Sequence, residues 1–216
     1  MEQKKWLNIF NDEEDKIKKI CIKASKIYED VNQNYGENKP YIFHLLDVFD
    51  CVKSFGFQSC NNEEDVLGIV AGALFHDSIE DARLTYNDVK SELKSCGLFE
   101  NQVFIGSEIA YSLTNENGRT RAERANEKYY NGIRSTKYAP MVKYADRIAN
   151  LRYSVMNAIE HESKECVRKA KMYIKEMDHF NESVIRENVD IEYTVSKLMI
   201  EQSEEIISQY KKKYLN

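Results

Sequence analysis

The sequence predicts an all-α fold, a bundle of about eight to ten helices. Its 216 residues include only two prolines and eight glycines, so long stretches carry no residue that breaks a helix. Along most of these stretches apolar residues recur at steps of three and four, which is the period of one helix face. No stretch sustains the alternation of apolar and polar residues that a half-buried strand requires.

The first two predicted helices lie on either side of a short connection. The first covers residues 12–33, and its inner face is a row of apolar side chains. That row consists of Ile17, Ile20, Cys21, Ala24, Ile27, Tyr28 and Val31. Gly36 and Pro40 mark the connection, and the second helix begins near Tyr41. Its apolar side carries Phe43, Leu46, Phe49 and Val52.

The third predicted helix starts at Glu63 and stays apolar until it meets the segment ALFHDSIEDARLT, residues 73–85. After this segment, Thr85 and Asp88 stand three positions apart, as in the capping box that begins a helix. The segment TNENG, residues 114–118, is the clearest loop. Further helices are predicted at residues 101–113, 120–131, 139–157, 162–178 and 185–213.

We expect residues 1–216 to form one domain, because a chain of this length with 42% hydrophobic residues buries one good core. Residues 185–216 are expected to close that core as a C-terminal helix. The same helix offers a homodimer surface as the alternative. No internal repeat or low-complexity linker divides the chain.

The composition excludes several classes of protein. No window reaches the roughly 18 apolar residues of a membrane span, and the start, MEQKKWLNIF, lacks the apolar run of a secretory signal. The five cysteines are scattered and none stand in CxxC spacing, which argues against a disulfide framework or a zinc ribbon. A formal charge of −5 argues against general nucleic-acid binding. We therefore expect a soluble cytoplasmic protein with neither a membrane nor a nucleic-acid partner.

The segment ALFHDSIEDARLT places four ionisable residues, His76, Asp77, Glu80 and Asp81, beside an apolar run that is expected in the core. Moving an unpaired charge out of water costs several kcal/mol or forces a pKa shift. A divalent cation removes that cost. His76 and Asp77 are adjacent and would point about 100° apart on an ideal helix, so further ligands must come from other helices.

Two other helices offer such ligands. His44 stands among apolar neighbours in the second helix, and Asp146 lies within the apolar segment MVKYADRIANL. Taken alone, His44 fits a satisfied interior histidine, and Asp146 fits a surface ion pair with Arg147. Together with His76 and Asp77, they predict a mixed nitrogen and oxygen site suited to a borderline transition ion rather than to calcium.

Glu80 follows His76 by four positions, so a continuing helix would put both on one face. A carboxylate held there could orient or deprotonate water at the metal. Alternatively, Glu80 and Asp81 are acids of a first helical turn or of a solvated helix end.

Residues 119–137 are locally basic in this acidic chain. Six cations, Arg119, Arg121, Arg124, Lys128, Arg134 and Lys137, stand against Glu123 and Glu127. This excess predicts a phosphate-binding wall, with Lys143 and Arg147 close by in sequence. An exposed basic helix crossed by pairs such as Arg119 with Glu123 explains the pattern equally well.

Three segments resemble those of the HD-domain metal-dependent phosphohydrolases. KPYIFHLLDV is similar to PYIxHPLxVA, LFHDSIEDA to LLHDxxEDT, and VKYADRIANLR to VKLADRxxNMR of the guanosine tetraphosphate hydrolases. These comprise the hydrolase domain of the RelA/SpoT enzymes and the stand-alone small alarmone hydrolases. The likeness covers roughly residues 10–180 in order and spacing.

The resemblance implies an HD-domain helical bundle that binds one Mn²⁺ through four side chains. These are His44, His76, Asp77 and Asp146. It also implies that Glu80 and Asp81 position and activate the water that removes pyrophosphate from a nucleotide 3′ position. Asn150 would touch the nucleoside, and Tyr173 matches a substrate-contacting tyrosine of the family.

The chain departs from the family before the PYI segment. There the family carries an Arg-Lys pair that packs on the base and grips phosphate, and here Asn34 and Tyr35 take its place. Tyr35 can stack on a base but supplies no positive charge. Leu45 replaces the family's proline and Ala82 its threonine. The metal site is expected to survive these changes, whereas the base preference stays open.

The expected function is the metal-dependent hydrolysis of the 3′-pyrophosphate of guanosine tetraphosphate or pentaphosphate-like nucleotides. It would place the chain in the stringent response. The first alternative is an HD phosphohydrolase for another nucleotide, an adenosine alarmone or a nucleoside monophosphate. The second is a non-catalytic helical binding module stapled by the metal, which gives no reason for the additional acids Glu80 and Asp81.

Overall fold

The computed structural model describes residues 1–36, 39–185, 195 and 197–215. The first part of the chain contains helices α1 (Gln3–Asp12), α2 (Glu14–Asp30), α3 (Ile42–Phe55), α4 (Val66–Phe75) and α5 (Tyr86–Ser95). The second part contains α6 (Glu100–Leu113), α7 (Arg121–Arg124), α8 (Glu127–Ser135), α9 (Ala139–His161), α10 (Lys164–Val184) and α11 (Lys197–Tyr214). Ten of these described helices have nine or more residues, which confirms the predicted all-α bundle.

Two short strands and two 3-10 turns complete the described elements. Strand β1 (Asn34–Tyr35) pairs antiparallel with β2 (Lys39–Pro40), with Asn34 opposite Pro40. The 3-10 turns span Gly56–Gln58 and Glu63–Asp65. The sequence does not predict the hairpin, because strands of two residues are too short to show a period of two.

Helix α4 forms the centre of the bundle. Every residue of its sequence VLGIVAGALF is buried, as expected for a helix that is apolar on all sides. It packs against α2, α3, α6 and α9. Contact with α6 is close, since a Cβ built on Gly72 would lie 2.8 Å from the Cβ of Ile109. The helix ends at Phe75, and His76 and Ser78, which follow it in a turn, are still fully buried.

Helix α9 runs alongside α3, α10 and α11. Its start is set by Tyr138, which has a left-handed backbone with φ of 66°, and by Pro140 in the first turn. The buried face of α9 includes Asp146 and Arg147 as well as apolar residues. Two charged residues inside a core-facing helix require partners, and both have them, as described below.

Several predicted elements differ from the structure in their limits. The predicted helix at 120–131 is two helices, α7 and α8, because the side chain of Asn126 accepts a hydrogen bond from the backbone N–H of Tyr129 and starts a new helix. Helix α1 is not predicted by the sequence pattern. Of the helix predicted at 185–213, the described part is α11, which packs on α9; residues 186–194 lie outside the described residues.

One predicted helix start is confirmed. Thr85 and Asp88 form the predicted capping box at the start of α5. All five cysteines are free thiols. Among the described helices, none combines the length and the apolar content that crossing a bilayer would demand.

Candidate metal centre and adjoining pocket

Three helices bring together the four side chains that the sequence proposes as metal ligands. His44 comes from α3, His76 and Asp77 follow the end of α4, and Asp146 comes from α9. The Nε2 atom of His44 lies 3.3 Å from Oδ1 of Asp146 and 3.5 Å from Oδ2 of Asp77. The Nε2 atom of His76 lies 2.9 Å from Oδ2 of Asp77 and 3.8 Å from Oδ1 of Asp146. Ligand atoms around an ion bound at about 2.1 Å are separated by roughly these distances.

The tautomer of His76 supports a cation at this point. Its Nδ1 atom is 2.8 Å from the backbone oxygen of Ala73, and because a carbonyl only accepts, Nδ1 carries the proton and donates it. Nε2 is buried, makes no hydrogen bond among the described residues, and faces two carboxylates. Burial would lower the pKa of His76, but the charge of Asp77 raises it, so Nε2 carries a proton that a bound metal ion would replace.

Both aspartates of the cluster are held in the ionised form. Burial alone would raise the pKa of Asp77, but the positive charge of His76 outweighs it and keeps the pKa well below the usual range. Burial likewise opposes ionisation of Asp146, and the Lys143 ammonium lowers its pKa. For His44, burial would lower the pKa, whereas hydrogen bonding to Asp146 and Asp77 raises it to about 9. Binding of a metal would thus release a proton from His44.

Asp146 is fixed by two further residues of α9. The Lys143 ammonium donates to Oδ2 at 2.9 Å, and the Asn150 amide donates to Oδ1 at 2.5 Å and to the backbone oxygen at 3.2 Å. Arg147 turns the other way and pairs with Glu176 at 3.2 Å. The surface ion pair between Asp146 and Arg147 is therefore not formed, and Asn150 orients a proposed ligand.

A tyrosine hydroxyl connects the cluster to Asp81. The Tyr41 hydroxyl lies 2.6 Å from Oδ2 of Asp77 and 2.8 Å from Oδ2 of Asp81. Burial and the nearby charge of Asp77 raise the pKa of Asp81. Sequence reasoning missed Tyr41, although its place three residues before His44 in KPYIFH offered a signal.

Glu80 is held by Asn115, which lies in the loop between α6 and α7. The Asn115 side-chain amide donates to both carboxylate oxygens, at 2.9 and 2.8 Å, and its backbone N–H donates at 3.3 Å. Helix α4 has ended before this point, so Glu80 sits in a turn rather than on the helical face of His76. Asn115 belongs to the loop TNENG, and nothing in its local sequence indicated this contact.

A pocket of about 560 Å³ adjoins the cluster. Asn115 and Lys143, which hold Glu80 and Asp146, both line it. Its charged lining consists of the cations Arg121, Arg124, Lys143 and Arg147 and the carboxylates Glu127 and Glu176. The four cations exceed the two carboxylates, so the pocket is positive in a chain of net charge −5 and suits an anionic ligand.

The proposed phosphate contacts divide between this pocket and the surface. Arg121, Arg124, Lys143 and Arg147 line the pocket. Lys128 points elsewhere and forms an exposed ion pair with Glu116 at 2.9 Å. Arg119 is exposed and is not among the residues that line the pocket.

The two proposed aromatic contacts lie against charged residues of the site. The Tyr35 ring stacks on the imidazole of His44 at 4.9 Å and packs against Tyr153 at 4.4 Å, so it is 9% exposed and offers little surface to a base. The Tyr173 ring lies 4.9 Å from the Arg147 guanidinium. In this state both rings support neighbouring side chains.

The chain is similar to one characterised hydrolase. It is 25% identical over 118 residues to guanosine-3′,5′-bis(diphosphate) 3′-pyrophosphohydrolase MESH1 of Drosophila melanogaster. The matched segment is 54% of this chain and 56% of the relative, so the chain spans about half the length of that protein. No protein-family model and no solved structure matches. The cluster of His44, His76 and Asp77 is a candidate site for a divalent metal.

Proposed function

We propose that this chain is a Mn²⁺-dependent HD-type phosphohydrolase that removes the 3′-pyrophosphate from guanosine tetraphosphate or pentaphosphate-like nucleotides. The single observation that carries the proposal is the convergence of two imidazoles and two carboxylates beside a positive pocket. The distant likeness to a guanosine bis(diphosphate) 3′-pyrophosphohydrolase supports the substrate class.

The residues present fit a divalent ion. His44, His76, Asp77 and Asp146 would hold it, and their nitrogen and oxygen donors suit a borderline metal such as Mn²⁺. When bound, such an ion supplies a Lewis acid for a phosphate oxygen and makes water more acidic. The ionised state of both aspartates and the buried Nε2 of His76, which faces these two carboxylates, are the features of this chain that favour it.

In this proposal Glu80 and Asp81 handle the proton of the attacking water. Burial and the charge of Asp77 raise the pKa of Asp81, which makes it a stronger base than an exposed aspartate. Glu80 is held by three hydrogen bonds from Asn115, which fixes the direction of its carboxylate. Tyr41 keeps Asp81 next to Asp77, and so beside the proposed metal ligands.

The pocket cations would bind the phosphate groups and compensate their charge during the reaction. Lys143 lies closest to the cluster, through its contact with Asp146, and Arg121, Arg124 and Arg147 extend the positive surface away from it. Asn150 and Tyr173 remain proposed contacts for the nucleoside. Arg119 lies outside the pocket lining and Lys128 of α8 pairs with Glu116, so both would reach a nucleotide only after a rearrangement. Tyr35 would act mainly by supporting His44.

The broader setting is also proposed. The described residues share one hydrophobic core, which supports a single domain. We propose a cytoplasmic enzyme that acts on a small nucleotide, with a homodimer as an open alternative to the monomer.

The decisive experiment is a nucleotide panel with product identification and metal analysis of the same protein. Release of pyrophosphate from guanosine tetraphosphate with Mn²⁺ is the expected result. Glu80→Gln should lower the rate about 10²- to 10⁴-fold while the bound metal stays constant. Glu116→Gln is the matched control: Glu116 lies in the loop of Asn115 but pairs with Lys128 on the surface, so this variant should keep the full rate.

Other outcomes would replace the proposal. Release of orthophosphate from a nucleoside monophosphate, or turnover of an adenosine alarmone alone, would assign the site to a different nucleotide. Metal binding without turnover of any nucleotide, and without any effect of Glu80→Gln, would identify a structural metal staple.

A further inference from the structure

The carboxylate of Glu176 stands between two arginines of the pocket. Nε and a terminal nitrogen of Arg121 donate to it at 3.0 and 3.1 Å, and Nη1 of Arg147 donates to Oε2 at 3.2 Å. Both guanidinium groups lie over the ring of Tyr173, Arg121 at 5.7 Å and Arg147 at 4.9 Å. One carboxylate thus binds two guanidinium groups that both lie over the same tyrosine ring.

This arrangement has the form of an anion site that is already filled. Arginine binds carboxylate and phosphate through the same two-pronged geometry, so a group that suits one suits the other. The side chain of Arg147 is only 7% exposed and is fixed by Tyr173 and by Phe180, whose ring is 4.3 Å away. A rigid, buried guanidinium is costly unless an anion faces it. Glu176 provides that anion in the ligand-free chain.

We propose that Arg121 and Arg147, over Tyr173, form a binding site for a phosphate group, and that Glu176 is an internal competitor which this phosphate displaces. The identity of the phosphate as part of a nucleotide substrate rests on the proposed function, whereas the anion site itself does not. An anion can therefore bind these two arginines only if it binds them more strongly than Glu176 does.

The surroundings of Glu176 permit such an exchange. Its side chain is 32% exposed and borders the open volume of the pocket. Among the described residues, its side-chain hydrogen bonds go to these two arginines. Rotation of one glutamate side chain towards solvent would free both guanidinium groups without moving α10.

A purely structural role for Glu176 predicts the opposite change in anion affinity when its carboxylate is neutralised. If the carboxylate served only to fasten Arg121 and the four-residue helix α7 to α10, its neutralisation would loosen one wall of the pocket and weaken anion binding. If it competes with the ligand, its neutralisation strengthens anion binding even though Arg147 loses a partner and the protein becomes less stable. Affinity and stability should then change in opposite directions.

The test is calorimetric titration of the full-length chain with inorganic pyrophosphate at constant ionic strength, with Mn²⁺ and in parallel with a chelator. Glu176→Gln should tighten pyrophosphate binding about tenfold, which corresponds to about 1.4 kcal/mol, while its melting temperature falls. Glu165→Gln removes a surface ion pair of the same helix, with Lys169 at 2.7 Å, and should leave binding unchanged. Arg147→Met should weaken binding.

Arg121→Gln provides a second check, because Arg121 is half exposed and its loss endangers folding less than that of Arg147. It too should weaken pyrophosphate binding. Unchanged or weaker binding by Glu176→Gln, or full binding by Arg121→Gln, would overturn the proposal. The titration needs no turnover: a tighter Glu176→Gln complex in a chain that hydrolyses no tested nucleotide would keep the anion site and reject the proposed function.

Discussion

Tyr41 links Asp77 of the candidate metal centre to Asp81 through a single hydroxyl. Because this group has one proton, it can donate to Asp77 or to Asp81 at a given moment, and it keeps both within 2.8 Å of one oxygen. Its ring stacks on Tyr28 at 4.5 Å, which limits its rotation. Residues that orient a ligand in this way commonly affect a metal site almost as much as the ligands themselves.

Replacing Tyr41 by phenylalanine should therefore weaken Mn²⁺ binding or the hydrolytic rate about 10- to 100-fold. The stacked ring is kept, so the change isolates the hydroxyl. Mn²⁺ titration and steady-state kinetics measure the two effects. Tyr86→Phe, which removes a hydroxyl bonded to Glu108 at 2.6 Å in another part of the chain, is the control. Equal values for Tyr41→Phe and the unaltered chain would show that the hydroxyl positions nothing.

At the scale of single residues, the sequence identifies a site residue when it is polar within an apolar helix. It does not identify site residues whose local sequence is unremarkable. His44, His76 and Asp146 stand out because each is polar within an apolar helix. Tyr41 and Asn115 fit their local sequence without conflict, and their partners lie 36 and 35 residues away. Contacts over such separations depend on the packing of whole helices, which periodicity does not determine.

The packing of α4 on α6 depends on glycine at the contact. A side chain at Gly72 would meet Ile109, with Cβ atoms 2.8 Å apart, which is closer than carbon atoms approach in proteins. The glycine weakens the isolated helix by up to about 1 kcal/mol relative to alanine. The close approach of the two helices compensates for this loss, and it helps to place His76 at the end of α4.

Gly72→Ala should accordingly destabilise the protein by about 1–3 kcal/mol despite the better helix propensity of alanine. Urea unfolding gives the free energy. Gly132→Ala in α8 is the matched control, since a Cβ there meets no atom within 4 Å. That variant should be stabilised by up to about 1 kcal/mol. If both variants gained stability equally, close packing at Gly72 would not limit the core.

The limits of elements are predicted well where capping chemistry is visible. Thr85 and Asp88 show the start of α5, and the structure contains that capping box. The break between α7 and α8 carries the same kind of signal in Asn126, but the continuous run of good helix formers around it conceals the break. Pattern and capping must be weighed together in such segments.

Across the whole molecule, the helical class follows from composition and periodicity, while the arrangement of the helices does not. The pairing of α9 with α3, α10 and α11 is a tertiary property. The site was nevertheless foreseeable, because unpaired charges in separate apolar helices are tolerated only if they meet. The pocket was foreseeable only in part: Arg124, Lys143 and Arg147 line it, whereas Arg119 lies outside the lining and Lys128 of α8 pairs with Glu116 on the surface.

Removal of the metal should lower the stability of the entire fold. A ligand that binds only the folded chain, present at 100 times its dissociation constant, adds about 2.7 kcal/mol. Each kcal/mol shifts the melting temperature of a chain of this size by about 2–4 °C. Thermal unfolding followed by circular dichroism, with Mn²⁺ and after EDTA, should show this difference.

Two variants make the metal-removal measurement specific. Asp146→Asn should lose the response to Mn²⁺, whereas Asp178→Asn, on the exposed side of α10, should keep it. Identical melting temperatures of the unaltered chain in Mn²⁺ and in EDTA would contradict a metal site that joins three helices.

The origin of the four ligands in α3, the end of α4 and α9 also bears on the order of folding. No pair of neighbouring helices contains the complete set, so a partly folded chain offers an ion at most a fraction of its donors. Binding of an ion by all four proposed ligands would therefore follow the docking of α9 onto α3 and α4. In a refolding experiment, metal uptake would mark the last stage of assembly.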